Sequence, residues 1–106
     1  MNSLLTNEEL INYSKSKPST LIVIDFSASW CIPCREIKPF IQYLQDGYPN
    51  VEFKYIDIED ETTDSITTSF KISKVPTFVY FKNGETHTHI IGTNKSKIEE
   101  LINEYL

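Results

Sequence analysis

The chain has 106 residues, a formal net charge of -5, 40% hydrophobic and 24% charged residues, and two cysteines. That length fits one domain over residues 1–106, and a chain of this size buries roughly two thirds of its unfolded surface, enough for a core without staples. An acidic balance with a single arginine argues against nucleic acid and anionic membrane surfaces, which are met by clustered Lys and Arg, and two cysteines make no disulfide-dense secreted scaffold.

The opening MNSLLTNEEL lacks a basic n-region and a long apolar stretch, so no signal peptide is expected. The longest aliphatic run, residues 21–24, is far too short to span a bilayer, and a reducing cytoplasmic compartment is the expectation. Thr6 followed three residues later by Glu9 reads as a capping box that starts a short helix to about Lys15, burying Leu10, Ile11 and Tyr13. Residues 21–26 form an apolar run broken only by Asp25, the pattern of a strand buried on both faces. Ile37, Phe40, Ile41, Leu44 and Tyr48 fall on one helical face. Pro39 should kink that helix by removing a donor and crowding the preceding turn, and Gly47 and Pro49 end it.

Residues 51–58 alternate well enough for a second strand, and the Thr- and Ser-rich residues 59–70 predict a short helix. Residues 77–81 form an aromatic strand, Asn83-Gly84 a tight hairpin turn, and residues 86–91 a more polar edge strand. Ile98, Leu101, Ile102, Tyr105 and Leu106 repeat the spacing of an amphipathic final helix. A strand-helix-strand unit followed by a hairpin predicts an α/β fold: a central mixed sheet of four to five strands with helices on both faces.

Cys31-Ile32-Pro33-Cys34 lies between the buried first strand and the amphipathic helix. A helix N-terminus presents free N–H groups and the positive end of the dipole, so a thiolate there is favoured and its pKa is expected to fall. Pro33 suits a first turn, where its missing N–H costs little. Residues i and i+3 share a side of a helical turn, which lets the two sulfurs meet in a disulfide. Cys31, nearer the strand end, is expected to be the exposed nucleophile, and Cys34, one turn in, the sheltered resolving thiol. Asp25 is a carboxylate among apolar neighbours, and burial raises its pKa. Held near neutrality, it is a candidate acceptor for the proton that Cys34 loses when it attacks.

Residues 25–35, with Asp25, Trp30 and the two cysteines, resemble the thioredoxin active-site segment. Lys38-Pro39-Phe40 resembles the kinked helix after it, Val75-Pro76-Thr77-Phe78 the cis-proline loop, and Phe81-Lys82-Asn83-Gly84 the hairpin. Gly92 with Asn94-Lys95 resembles the last loop and helix start, closer to eukaryotic than to bacterial members. The resemblance covers nearly the whole chain. It implies the thioredoxin fold, a cis bond before Pro76, and a lowered pKa of the kind known for the family's Cys-X-X-Cys pair. It further implies a target-binding groove formed by Trp30, Ile32, Pro33, Val75, Pro76 and Gly92, where extended target backbone adds as a strand. The implied activity is reduction of disulfides in target proteins by thiol-disulfide exchange, with a flavin- and NADPH-dependent thioredoxin reductase restoring the dithiol. No cofactor is implied for this chain, and a monomer is expected.

Two departures stand out. The dipeptide between the cysteines is Ile32-Pro33 where the family usually has Gly-Pro, yet Pro33, Trp30 and Asp25 are kept, so a reductant is still expected. Tyr55 takes the position from which bacterial members often place a lysine beside the buried aspartate, leaving Lys38 or water to assist Asp25. Two other readings compete. His87 and His89, placed two apart on one strand face, complete a Cys2His2 set with the cysteines, but the spacing is not that of a zinc finger, so no metal is expected and the histidines are read as exposed edge residues. The alternative function is a binding module or assembly subunit in which redox activity is secondary; the intact cysteine pair favours the oxidoreductase.

Overall fold

A computed structural model describes residues 6–106; the stretch Met1 to Leu5, which bears on the signal-peptide expectation, lies outside the described residues. Helix α1, Asn7–Ser16, starts with the expected capping box. Glu9 N–H donates to Thr6 Oγ1 at 3.1 Å and Thr6 N–H to Glu9 Oε1 at 2.9 Å. Such a cap contributes about 1 kcal/mol to helix stability. Leu10 is fully buried, but Ile11 and Tyr13 are only half-buried. The second inward position belongs to Ser14, four residues after Leu10 on the same helical face, and its hydroxyl accepts the N–H of Gly84 at 3.0 Å.

Strand β1, Ile22–Ser27, is buried along its whole length because it is central. It pairs in parallel with β2, Glu52–Asp57, and antiparallel with β3, Thr77–Lys82, which in turn pairs antiparallel with β4, Glu85–Ile91. Among the described residues these form one four-stranded mixed sheet in the order β2-β1-β3-β4, as expected. Ile22, Ile24 and Phe26 face one side, with Leu10 of α1 and Ile66 of α4, Asp64–Ser69. Leu21 and Val23 face the other, with α3, Lys38–Gly47, and α5, Lys95–Tyr105. In α5 the buried side chains are Ile98, Leu101 and Ile102, each worth about 1.5–3 kcal/mol as transferred apolar surface. Leu106 does not continue that face: it lies past the helix end and is exposed.

The helix expected after the cysteines is two helices. Helix α2, Ile32–Glu36, stops at Ile37, and α3 starts at Lys38 with Pro39 in its first turn. Pro39 has no N–H to continue the ladder, so the chain breaks two residues ahead of it, where Ile37 N–H still reaches the carbonyl of Pro33 at 3.1 Å. The region of residues 59–70 likewise divides, into a 3-10 turn, Glu61–Thr63, and α4. Thr63 Oγ1 donates to the carbonyls of Asp57 and Asp60 at 2.7 and 2.8 Å, a local alternative to helical hydrogen bonding.

Asn83 and Gly84 both have positive φ, 51° and 79°, the backbone of a two-residue hairpin turn that matches strand twist. The register then slips between Tyr80 and Phe81, so β4 carries a bulge near its start. The bulge corrects the expectation that His87 and His89 share a face. His87 packs on Tyr105 of α5 with ring centroids 5.3 Å apart, whereas His89 pairs with Val79 and lines a cavity with Phe70 and Ile72 on the opposite side.

Candidate active site

The C-terminal end of β1 delivers the chain through Ala28 to the start of α2. Cys31 is the N-cap of that helix, and its Sγ accepts the backbone N–H of Cys34 at 3.2 Å. The two cysteines form a disulfide with Cα atoms 5.2 Å apart. Pro33 occupies the first helical turn, where no N–H is required. The cap therefore aims a free amide at the very sulfur expected to carry negative charge, and nothing in the first turn of α2 is acidic to oppose it.

Burial follows the expected order but not the expected degree. Cys34 is 1% exposed and Cys31 only 5%, so the first sulfur is not an exposed group. Its inward cap geometry and its packing with Ala28, Cys34, Ile58 and Val75 account for this. The exposed parts are the flanks: Trp30 is 62% and Ile32 58% exposed, and Pro33 is also on the surface.

A second loop closes over the pair. The bond between Val75 and Pro76 is cis, and the Val75 carbonyl oxygen lies 3.8 Å from Cys31 Sγ. Pro76 is buried and its carbonyl accepts the N–H of Gly92 at 2.9 Å, tying this loop to the end of β4. Gly92 has φ 102°, a conformation that side-chain-bearing residues rarely adopt. Thus Trp30, Ile32 and Pro33 flank the pair from one segment, Val75 reaches it from a second, and Gly92 is tied to that second loop through Pro76. Ile58 and Ala28, which complete the packing around the sulfurs, escaped the sequence reading because neither carries a chemical signature.

Asp25 lies on the same face of β1 as Val23, toward α3, and is 6% exposed. Its Oδ1 is buried without a hydrogen-bond partner. Burial pushes its carboxyl from 3.8 up to about 7, and the positive charge of Lys38 works in the opposite direction. Its strand neighbours are Tyr55 on β2 and Phe78 on β3. Tyr55 is half-exposed and faces Lys38, whose Nζ lies 5.3 Å from the ring centroid. No group of three or more His, Cys, Asp or Glu among the described residues is placed to hold a metal ion. No helix among them is long and apolar enough to cross a membrane.

Comparison with known proteins agrees with this geometry. The thioredoxin family model matches residues 4–104. A thioredoxin of Ophiophagus hannah is 42% identical over 88 residues, covering 83% of this chain and 82% of the relative. One of Ovis aries is 38% identical over 99 residues, covering 93% and 90%. The X-ray structure of Fasciola hepatica thioredoxin superposes with a TM-score of 0.88 at 32% identity, covering all of both chains.

Proposed function

The chain belongs to the thioredoxin family, and on that footing we propose how its residues divide the work of a thiol-disulfide oxidoreductase. It is a protein-disulfide reductase that uses the Cys31–Cys34 couple. The observation that carries this reading is the placement of that pair at the N-cap of α2 beneath the Val75–Pro76 loop.

In the reduced protein Cys31 thiolate attacks one sulfur of a target disulfide. The target's other sulfur leaves as a thiolate, and a mixed disulfide forms. Cys34, having lost its proton to Asp25, attacks Cys31 Sγ; the target's remaining sulfur leaves, and the Cys31–Cys34 disulfide closes. Two electrons pass to the target, and the proton from Cys34 returns through Asp25 to solvent. The N–H of Cys34 supports charge on Cys31 before attack and when that sulfur is the leaving group during re-reduction.

Trp30, Ile32 and Pro33 on one side and Val75, Pro76 and Gly92 on the other receive the target backbone, with Trp30 and Ile32 giving apolar contact. This role is supported by the exposure of Trp30, Ile32 and Pro33 beside the pair and by the Gly92–Pro76 hydrogen bond that holds the other two loops together. Partners are disulfide-containing proteins. An NADPH-dependent thioredoxin reductase restores the dithiol, and the working place is a reducing compartment such as the cytoplasm. The chain acts as one domain. Insulin reduction with dithiothreitol tests the assignment: turnover well above that of a Cys34→Ser control is expected. Turnover equal to that control would leave a binding module as the better account.

A further inference from the structure

Asp25 opens into a cavity of about 280 Å³ lined by Lys38, Phe53, Tyr55 and the polar side of α3. The β1–β2 register places Tyr55 directly beside it. Lys38 heads α3, is exposed, and makes no ion pair within 4.0 Å among the described residues. A side chain with four rotatable bonds in that setting samples many directions. What restricts it is the Tyr55 ring, 5.3 Å from Nζ to centroid, within the range where an aromatic face holds a cation.

We propose that Tyr55 is a positioning residue: its ring holds the Lys38 ammonium at the cavity into which Asp25 opens, so that charge on Asp25 is met by charge on Lys38. The proposal rests on Asp25 being the acceptor of the Cys34 proton. Other ionisable groups around Asp25 do not serve the same end. Lys54 also lines the cavity, but its ammonium is engaged with Glu52 at 3.6 Å and with the Tyr13 ring at 4.9 Å. From β3 the neighbour is Phe78, which carries no charge. On α2, Arg35 and Glu36 are exposed and Cys34 is held in the disulfide. Lys38 is the charge that acts on Asp25, lowering its pKa against the effect of burial.

The test is an NMR titration of the Asp25 carboxyl in the oxidised full chain, for the unaltered protein and for Tyr55→Phe, Tyr55→Leu, Lys38→Met and the Tyr55→Leu/Lys38→Met double variant. Tyr55→Phe keeps the ring and should leave the midpoint unchanged. Tyr55→Leu and Lys38→Met should each raise it, the former by roughly half a unit. The double variant should move no further than Lys38→Met alone. A ring that merely shielded Asp25 would give the opposite sign, because truncation admits water and lowers the midpoint. Either that lowering, or an unchanged midpoint in Tyr55→Leu, overturns the proposal. Rates of mixed-disulfide resolution measured on the same variants separate the two claims: rates that ignore the midpoint sink the Asp25 role, not the positioning by Tyr55.

Discussion

The amide N–H of Cys34 points at Cys31 Sγ, 3.2 Å away. That hydrogen bond comes from the backbone, so it survives any change of the Cys34 side chain. Cys34→Ser should therefore keep a reactive Cys31 and lose only the resolving sulfur. We expect it to accumulate a stable mixed disulfide with a target while turnover is abolished. Cys31→Ser should form none, because Cys34 is 1% exposed and shielded by its neighbours. Non-reducing mass spectrometry of each variant after incubation with an oxidised target checks this. A Cys31→Ser protein trapping target as well as Cys34→Ser does would reverse the assignment of nucleophile and resolver.

Ile32 is 58% exposed beside a sulfur that is nearly covered, so a target reaching Cys31 must press on it. Ile32→Ala removes three carbons from that contact. If the target covers their exposed part, the loss is about 1.4 kcal/mol, or about tenfold in KM, with kcat little changed. Steady-state reduction of an apolar disulfide peptide measures it. A lower KM in the variant would mean that Ile32 obstructs targets instead of contacting them.

Strong local rules made most of this fold readable. The apolar run of residues 21–26, broken only by Asp25, has the pattern of a strand covered on both faces, and Asn83-Gly84 is strongly preferred in a two-residue turn with two positive φ angles. The cysteine pair was legible because a helix start, a proline and two thiols at i and i+3 have one shared chemical use. What escaped depends on neighbours that the local pattern does not contain. The inward turn of Ser14 needs Gly84 as partner, 70 residues away. The burial of Cys31 needs Val75, 44 residues away. The opposite facing of His87 and His89 needs a bulge, which shifts strand periodicity by one residue and leaves no mark in composition.

Gly84 is held at φ 79°, and a Cβ there would meet Lys15 Cε at 2.8 Å. The Lys15 tip is flexible and exposed, so it moves aside, but the backbone strain stays. Gly84→Ala should cost about 1–2 kcal/mol, lowering Tm by roughly 4–8 °C per kcal/mol in a domain of this size. Urea unfolding should show a lower midpoint with an unchanged slope. A cost near zero would mean that the hairpin adopts another turn, which loss of the Gly84–Ser14 hydrogen bond would reveal as faster amide exchange at residue 84.

Asp25 links the chemistry to stability. Its carboxyl titrates at about 7 in the folded chain against 3.8 ordinarily, because burial penalises the charged form. Below about pH 4 both folded and unfolded chains hold this proton, and Asp25 contributes no pH dependence. Between 3.8 and about 7 the unfolded chain releases the proton while the folded chain keeps it, so stability falls as pH rises. Above about 7 both are ionised and the penalty is constant, on the order of 4 kcal/mol when fully developed. Asp25→Asn cannot ionise and escapes that penalty. Compared by urea unfolding of the oxidised proteins, the variant should be more stable by a few kcal/mol near pH 8.5 and by little near pH 4. The difference between the two chains reads out the contribution of Asp25. In the reduced state the same variant should slow resolution of the mixed disulfide more than the first attack. A stability difference that stays flat from pH 4 to 8.5 would mean that the folded carboxyl ionises at an ordinary pH, and the near-neutral acceptor for the Cys34 proton would not exist.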